Sequence, residues 1–126
     1  MPFELRVTPN DRVARVRGWG DENFESTLSA IQGISSDPRL APGSPLLMDV
    51  RELEYLATPP EVTSFASPSS MPALFADRRI AILTRRGTQQ GIARAFVTKA
   101  AQAQPGSRIE VFVEPDFAER WLREER

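Results

Sequence analysis

Any chemistry in this chain has to come from carboxylates, arginines and hydroxyls. Its 126 residues include no histidine and no cysteine, which excludes imidazole bases, thiolate nucleophiles, disulfides and His/Cys metal sites. Polar residues follow an apolar run in three places. In PLLMDVRELEYLATPP, residues 45–60, Asp49 and Arg51 interrupt Leu46, Leu47, Met48 and Val50. An acid beside an orienting cation is a possible start for acid–base work, but a general base also needs a tuned pKa and a positioned partner. No second acid stands at a diagnostic spacing, so Asp49 is expected to accept hydrogen bonds from backbone N–H groups or to pair with an arginine.

The second place is TRRGTQQG, residues 84–91, where Arg85, Arg86, Gly87 and Thr88 lead from a strand into a helix. A helix N-terminus attracts anions through its free N–H groups and its dipole. The spacing is neither the dinucleotide fingerprint nor the P-loop, and the plainer expectation is a solvated loop with Thr88 as helix cap. Glu114 and Asp116 make the third place. Ligands of open parallel sheets gather outside the carboxyl ends of the strands, so Asp49, Arg51, Arg85, Arg86, Gly87 and Thr88 are candidates for one ligand or anion rim.

The elements that must position these groups show in the periodicity. Phe3, Leu5 and Val7 alternate with polar residues as a half-buried strand does. Pro9-Asn10-Asp11 turns the chain, and a second strand is expected from about Arg12 to Gly18, broken by Gly18-Trp19-Gly20. Asp21 or Asn23 can cap a helix with Phe24, Leu28 and Ile31 on one face, stopped at Asp37-Pro38. The unbroken apolar run at 45–50 predicts a central parallel strand buried on both faces, and RIAILT, residues 79–84, predicts another. Residues 57–77 read as a short helix, a kink and a second short helix, because Pro68 and Pro72 forbid a single regular one. A long helix is predicted over 88–103 with Ile92, Ala95, Phe96, Ala100 and Ala103 inward. An outer strand follows with Ile109, Val111 and Val113. A last helix begins at Pro115 and packs down Phe117, Trp121 and Leu122.

The predicted order is β-β-α-β-α-β-α-β-α. This is an α/β fold in a single domain, 1–126, with a mostly parallel sheet, helices packed on it, and a hairpin supplying one antiparallel edge strand. A net charge of −1, interspersed acids and the lack of a reading motif argue against nucleic-acid binding. No apolar run reaches the roughly 20 residues of a bilayer span, and the charged N-terminus lacks a signal-peptide core, so a soluble cytoplasmic protein is expected. No cofactor is expected. Tyr55, Leu56, Phe65, Met71, Leu74 and Phe75 are more apolar than a solvent-facing segment requires, which suggests an interaction groove.

LLMDVRELEYLATPPEV, the RIAI strand leading to GIARAF, and the closing VFVEPDFAERWL resemble the STAS superfamily. That superfamily includes the SpoIIAA-like anti-sigma-factor antagonists, and the similarity is greatest to its uncharacterised bacterial STAS/SEC14-type branch. The resemblance implies a phosphorylatable hydroxyl in a D-S-x-G turn after the Asp49 strand. The matching turn here is Ala57-Thr58-Pro59-Pro60, which lacks the acid and the glycine and leaves Thr58 as the one hydroxyl. It also implies a non-enzymatic binding or regulatory domain with a protein partner or a second copy of itself. The SEC14-type likeness implies the alternative, a carrier of a small apolar or lipid-type ligand under residues 57–77, with Arg85 and Arg86 at an anionic head group.

Overall fold

The computed structural model describes residues 3–67 and 78–124. The second short helix expected beyond Pro68, with Met71, Leu74 and Phe75, lies outside the described residues. Within them the chain forms β1 (Phe3–Arg6), β2 (Ala14–Gly20), α1 (Phe24–Ser35), β3 (Leu46–Leu53), α2 (Pro59–Ala66), β4 (Arg79–Leu83), α3 (Thr88–Ala103), β5 (Arg108–Phe112) and α4 (Pro115–Arg123). The five strands form one sheet in the order β1-β2-β3-β4-β5. β1 is antiparallel to β2, and each later pair is parallel. This is the expected α/β architecture and element order.

The consecutive strand order has a physical consequence. Every crossover steps the same way across the sheet, so a single handedness puts α1, α2 and α3 on one face. The packing agrees: Val16, Met48 and Ile82 share a core with Ile34 of α1, Phe65 of α2 and Ala93 of α3. Among the described residues, α4 is the helix that covers the opposite face. There Val13, Leu47, Ala81 and Leu83 pack against Ala118 and Leu122, and the Phe112 ring tilts against Trp121. β3 and β4 are thus sandwiched, which is why both read as apolar without alternation.

The local chemistry of each element shows why it forms. Asn23 caps α1, its side chain accepting from the Ser26 N–H at 2.9 Å. Pro59 and Pro60 open α2, where their missing N–H groups would have no helical partner. Asn10 takes φ +70 in the hairpin turn, a left-handed position that asparagine tolerates. Several expected details differ. β2 runs through Gly18-Trp19-Gly20 because β3, longer than expected, carries its pairing partners out to Leu53. Gly18 suits the strand because the Phe3 ring lies where a Cβ would stand, 2.7 Å away. Gly87, at φ +93, takes the N-cap position of α3 in place of Thr88. Ala95 and Ala103 are exposed, since the inward stripe of α3 runs through Gln89, Ala93 and Ala100. Phe117 is 54% exposed, because the buried stripe of α4 is Ala118 and Leu122, four residues apart. Val113 lies beyond the end of β5.

An ionic network ties α4 to the hairpin. The Arg15 guanidinium donates to both carboxylate oxygens of Glu119 at 2.9 Å and to Asp11 at 2.8 Å. Asp11 also accepts from the Val13 N–H at 3.0 Å and from Arg123 at 3.2 Å. These bonds, led by the one from Val13, hold the Asp11 carboxyl down at about 2. No described helix is long and apolar enough to cross a membrane.

Two predictions follow from α4 and its network. Leu122→Ala will cost about 2–5 kcal/mol in urea unfolding, whereas Phe117→Ala will cost about 0.5 kcal/mol or less. Asp11 has a folded pKa below its unfolded value of 3.8. Its contribution is therefore complete above pH 4 or so and is lost as pH falls towards about 2. Asp11→Asn should flatten that limb of the stability–pH curve, read by thermal melts between pH 2 and 7.

Candidate functional site

The strand lengths create a problem at the carboxyl end of the sheet. β4 pairs with β3 only from Leu46 to Asp49, whereas β3 continues beside β2 to Leu53. Carbonyls in this overhang have no β4 strand to bond to. Two side chains from beyond β4 supply the donors. The Gln89 amide donates to Val50 O at 2.7 Å and to Leu53 O at 3.2 Å, while its oxygen accepts from the Arg85 N–H at 2.7 Å. The Arg85 guanidinium donates to Leu53 O at 3.1 Å and to Arg51 O. The β4–α3 loop thereby grips the β3 overhang. A buried polar side chain is stable when each of its groups finds a partner, and the Gln89 amide meets that condition.

The gripped overhang carries the other candidates. Asp49 and Arg51 point to the face of β3 that holds Leu47, and Arg51 chelates the carboxylate through Nε at 3.0 Å and Nη2 at 2.8 Å. Burial by itself pushes the Asp49 pKa up. The Arg51 side chain and backbone N–H, with the charge of Arg17, outweigh that and hold the carboxyl below its ordinary range. Asp49 is a fixed anion there, with two hydrogen bonds from one guanidinium. Arg86 is exposed and reaches Glu114 at 3.3 Å. Gly87 and Thr88 form the loop-to-helix step into α3. The rim residues thus split: Arg85 joins the overhang from the loop side, Arg86 turns to Glu114, and Asp49 and Arg51 pair with each other.

Downstream, the chain enters α2 through Tyr55-Leu56-Ala57-Thr58. Thr58 is the N-cap: its hydroxyl accepts from the Glu61 N–H at 3.4 Å, and its own N–H donates to the Glu61 carboxylate at 2.9 Å. That reciprocal pair is a capping box. The Tyr55 hydroxyl donates to the same carboxylate at 2.9 Å. Burial first, and then Glu61, push the Tyr55 pKa well above its ordinary value. Leu56 stands 44% exposed. Phe65 turns inward onto Phe24 at 4.9 Å between ring centres.

Beneath this loop and α2, on the face covered by the first three helices, lies a cavity of about 140 Å³. Phe3, Met48, Tyr55, Phe65, Ile82 and Phe96 are among its walls, and no charged side chain lines it among the described residues. Val50 lines it whereas Asp49 does not, so acid and cavity lie on opposite faces of one strand. Among the described residues, Thr27, Thr84 and Gln89 are its polar wall residues apart from the Tyr55 hydroxyl. Sequence reasoning missed the grip of Gln89. Gln89 looks like any polar residue in a first helical turn, and a strand-length mismatch leaves no mark in composition.

Two solved structures share this fold. An anti-sigma factor antagonist from Mycobacterium paratuberculosis matches with a TM-score of 0.62 at 17% identity, over 97% of this chain and 95% of its own. An uncharacterised protein from Shewanella loihica with a SpoIIAA-like fold matches with a TM-score of 0.55 at 16% identity, over 95% of this chain and 91% of its own. No protein-family model and no curated protein matches the chain. The fold expected from the STAS resemblance is the one observed.

Gln89→Leu tests the grip on the overhang. The variant removes the Gln89 partner of Val50 O and of the Arg85 N–H, and leaves Leu53 O with the Arg85 guanidinium, so it should lose about 1–3 kcal/mol of stability. Amide hydrogen exchange in residues 50–58 should rise with it. A variant as stable and as protected as the parent would show that the grip contributes nothing.

Proposed function

We propose that this chain is a non-enzymatic, STAS-like regulatory domain that works by binding a protein partner or a second copy of itself. The contact surface is α2 and the loop that leads into it. One observation carries the reading: in a fold shared with an anti-sigma factor antagonist, Thr58 caps the helix that follows the Asp49 strand. This is the turn in which the STAS resemblance expects the switch hydroxyl. The turn lacks the acid and glycine of the antagonist motif, with Ala57 and Pro60 in their places, so the switch motif is degenerate and binding by the unmodified chain needs no phosphate.

The geometry says what a charge at Thr58 would do. Phosphate on the hydroxyl brings nearly two negative charges to a group that accepts from the Glu61 N–H, on a residue whose own N–H is bonded to the Glu61 carboxylate. The helix dipole favours an anion there, but the phosphate and the Glu61 carboxylate would repel each other at one helix start. Glu61 would be displaced, releasing the Tyr55 hydroxyl that it accepts from. The loop carrying Leu56 would then reorganise. Exposed Leu56 is the apolar contact this surface offers among the described residues, and the half-buried Tyr55 beside it anchors the loop.

A second reading is supported by the cavity: carriage of a small apolar ligand beneath α2. In that reading Arg85 contributes by holding the β3 overhang, which forms one wall, and an anionic head group would be left to Arg86.

The interaction reading is tested by affinity capture from the native host together with sedimentation for self-association. Leu56→Asp should abolish capture or self-association with an unchanged Tm, and Thr58→Glu should weaken it. Thr58→Ser, which keeps the cap, should behave as the parent, while Thr58→Ala loses about 1 kcal/mol of stability. Equal association by the parent and Leu56→Asp would overturn the surface.

A further inference from the structure

Among the described residues no strand lies beyond β1, which leaves that edge of the sheet open. An antiparallel strand bonds its neighbour through alternate residues, so β1 turns one set of N–H and C=O groups to β2 and the other set outward. Folded proteins blunt such edges with prolines, bulges or charges that repel a copy. β1 contains no proline and no bulge: its residues, FELR, pair with β2 in unbroken register. Its two charges are of opposite sign and are placed to attract a copy.

Continued by Val7, the strand reads Phe3-Glu4-Leu5-Arg6-Val7: apolar, acid, apolar, base, apolar. A second copy laid antiparallel about a two-fold axis at Leu5 sets Glu4 of each chain opposite Arg6 of the other. The same register sets Phe3 opposite Val7, and Leu5 opposite its own copy, on the face shared with α1. Directly opposed unlike charges and apolar pairs hold neighbouring strands in one register, and a two-fold contact has to be self-complementary in this way. Inside one chain Arg6 is poorly served. Its cross-strand neighbour is Arg15, already committed to Asp11 and Glu119. The acid it reaches is Glu4 of its own strand, at 3.3 Å with both side chains exposed. Val7 stands 37% exposed.

Beside this edge is a groove of about 410 Å³, lined by Phe3 and Leu5 of β1 and by one side of α1. Ser26, Ser29, Ala30 and Gly33 stand along it, and small side chains let a second helix come close. Gly33 is the informative one. A glycine inside a helix costs about 1 kcal/mol against alanine. Its φ is not left-handed, and a Cβ built on it would meet nothing within 4 Å. The described residues therefore give no reason for glycine at this position, whereas a helix approaching from outside does.

We propose that a second copy of this chain binds at β1. The two edges join about a two-fold axis at Leu5 into one continuous sheet, and the grooves beside the two α1 helices face each other across that axis. The proposal goes beyond the reading above: it gives the second copy a surface of its own and leaves Leu56 to a protein partner.

The test is sedimentation of the full chain over a concentration series, with circular dichroism to show that each variant folds. The parent should dimerise, and a parent that stays monomeric overturns the proposal. Glu4→Arg and Arg6→Glu, tested singly, each set like charges opposite one another at both symmetric contacts. Each should weaken the dimer about tenfold. An equimolar mixture of the two variants should form a heterodimer, because every acid then faces a base again. Single variants that dimerise as the parent does, or a mixture that fails to associate, overturn the register. Gly33→Leu should also weaken the dimer, and a variant that associates like the parent overturns the facing helices. Leu56→Asp should sediment as the parent does. If it dissociates the dimer while Arg6→Glu does not, the second copy belongs on the α2 surface and the edge assignment fails.

Discussion

The arrangement at the carboxyl end of this sheet depends on one inequality: β3 is longer than β4. Four pairs join the two strands, after which β3 continues from Val50 to Leu53 with β2 on one side and no strand on the other. Carbonyls left this way must be bonded. Gln89 and Arg85 act as a substitute for the missing length of β4. Because they come from the β4–α3 loop, the start of α3, the end of β3 and the entrance to α2 are held as one unit. Thr58 stands where it does because the overhang ends at Leu53 and the next few residues must turn back over the sheet.

The second organising feature is the difference between the two faces. Among the described residues the three crossover helices share one face and α4 serves the other. The two faces of β3 therefore hold different things. One presents Val50 to an apolar cavity, and the other presents Asp49 to Arg51 and Arg17. An acid that looks poised for catalysis in the sequence is a chelated anion on the far side of the strand from the cavity. Alternation of side chains along a strand separates them as effectively as distance would.

How much of this could be read in advance depended on whether the controlling interaction was local. The doubly buried runs at 46–50 and 79–83, the prolines opening α2 and α4, and the hairpin were legible because periodicity and turn chemistry act over a few residues. Phe117 was misread because a ring in an amphipathic helix attracts the inward assignment, while small Ala118 is what fits closely against β3 and β4. The position of Gln89 depends on how long two distant strands are. Asp49 was legible as a structural acid, and its partner Arg51 was two residues away. Met71, Leu74 and Phe75 lie outside the described residues; of the other groove candidates Leu56 is exposed, Tyr55 is half-buried and Phe65 is buried against Phe24.

The late place of α4 in the chain has a consequence for synthesis. Each strand of this sheet pairs with the strand before it in the chain, so the sheet and its three-helix face can assemble in the order in which they leave the ribosome. The face bearing Leu47, Ala81 and Leu83 cannot close until Ala118 and Leu122 have also emerged. At translation rates of roughly 5–20 residues per second, the ten residues from Phe112 to Leu122 leave a nearly finished sheet with this apolar surface uncovered for about 0.5–2 s.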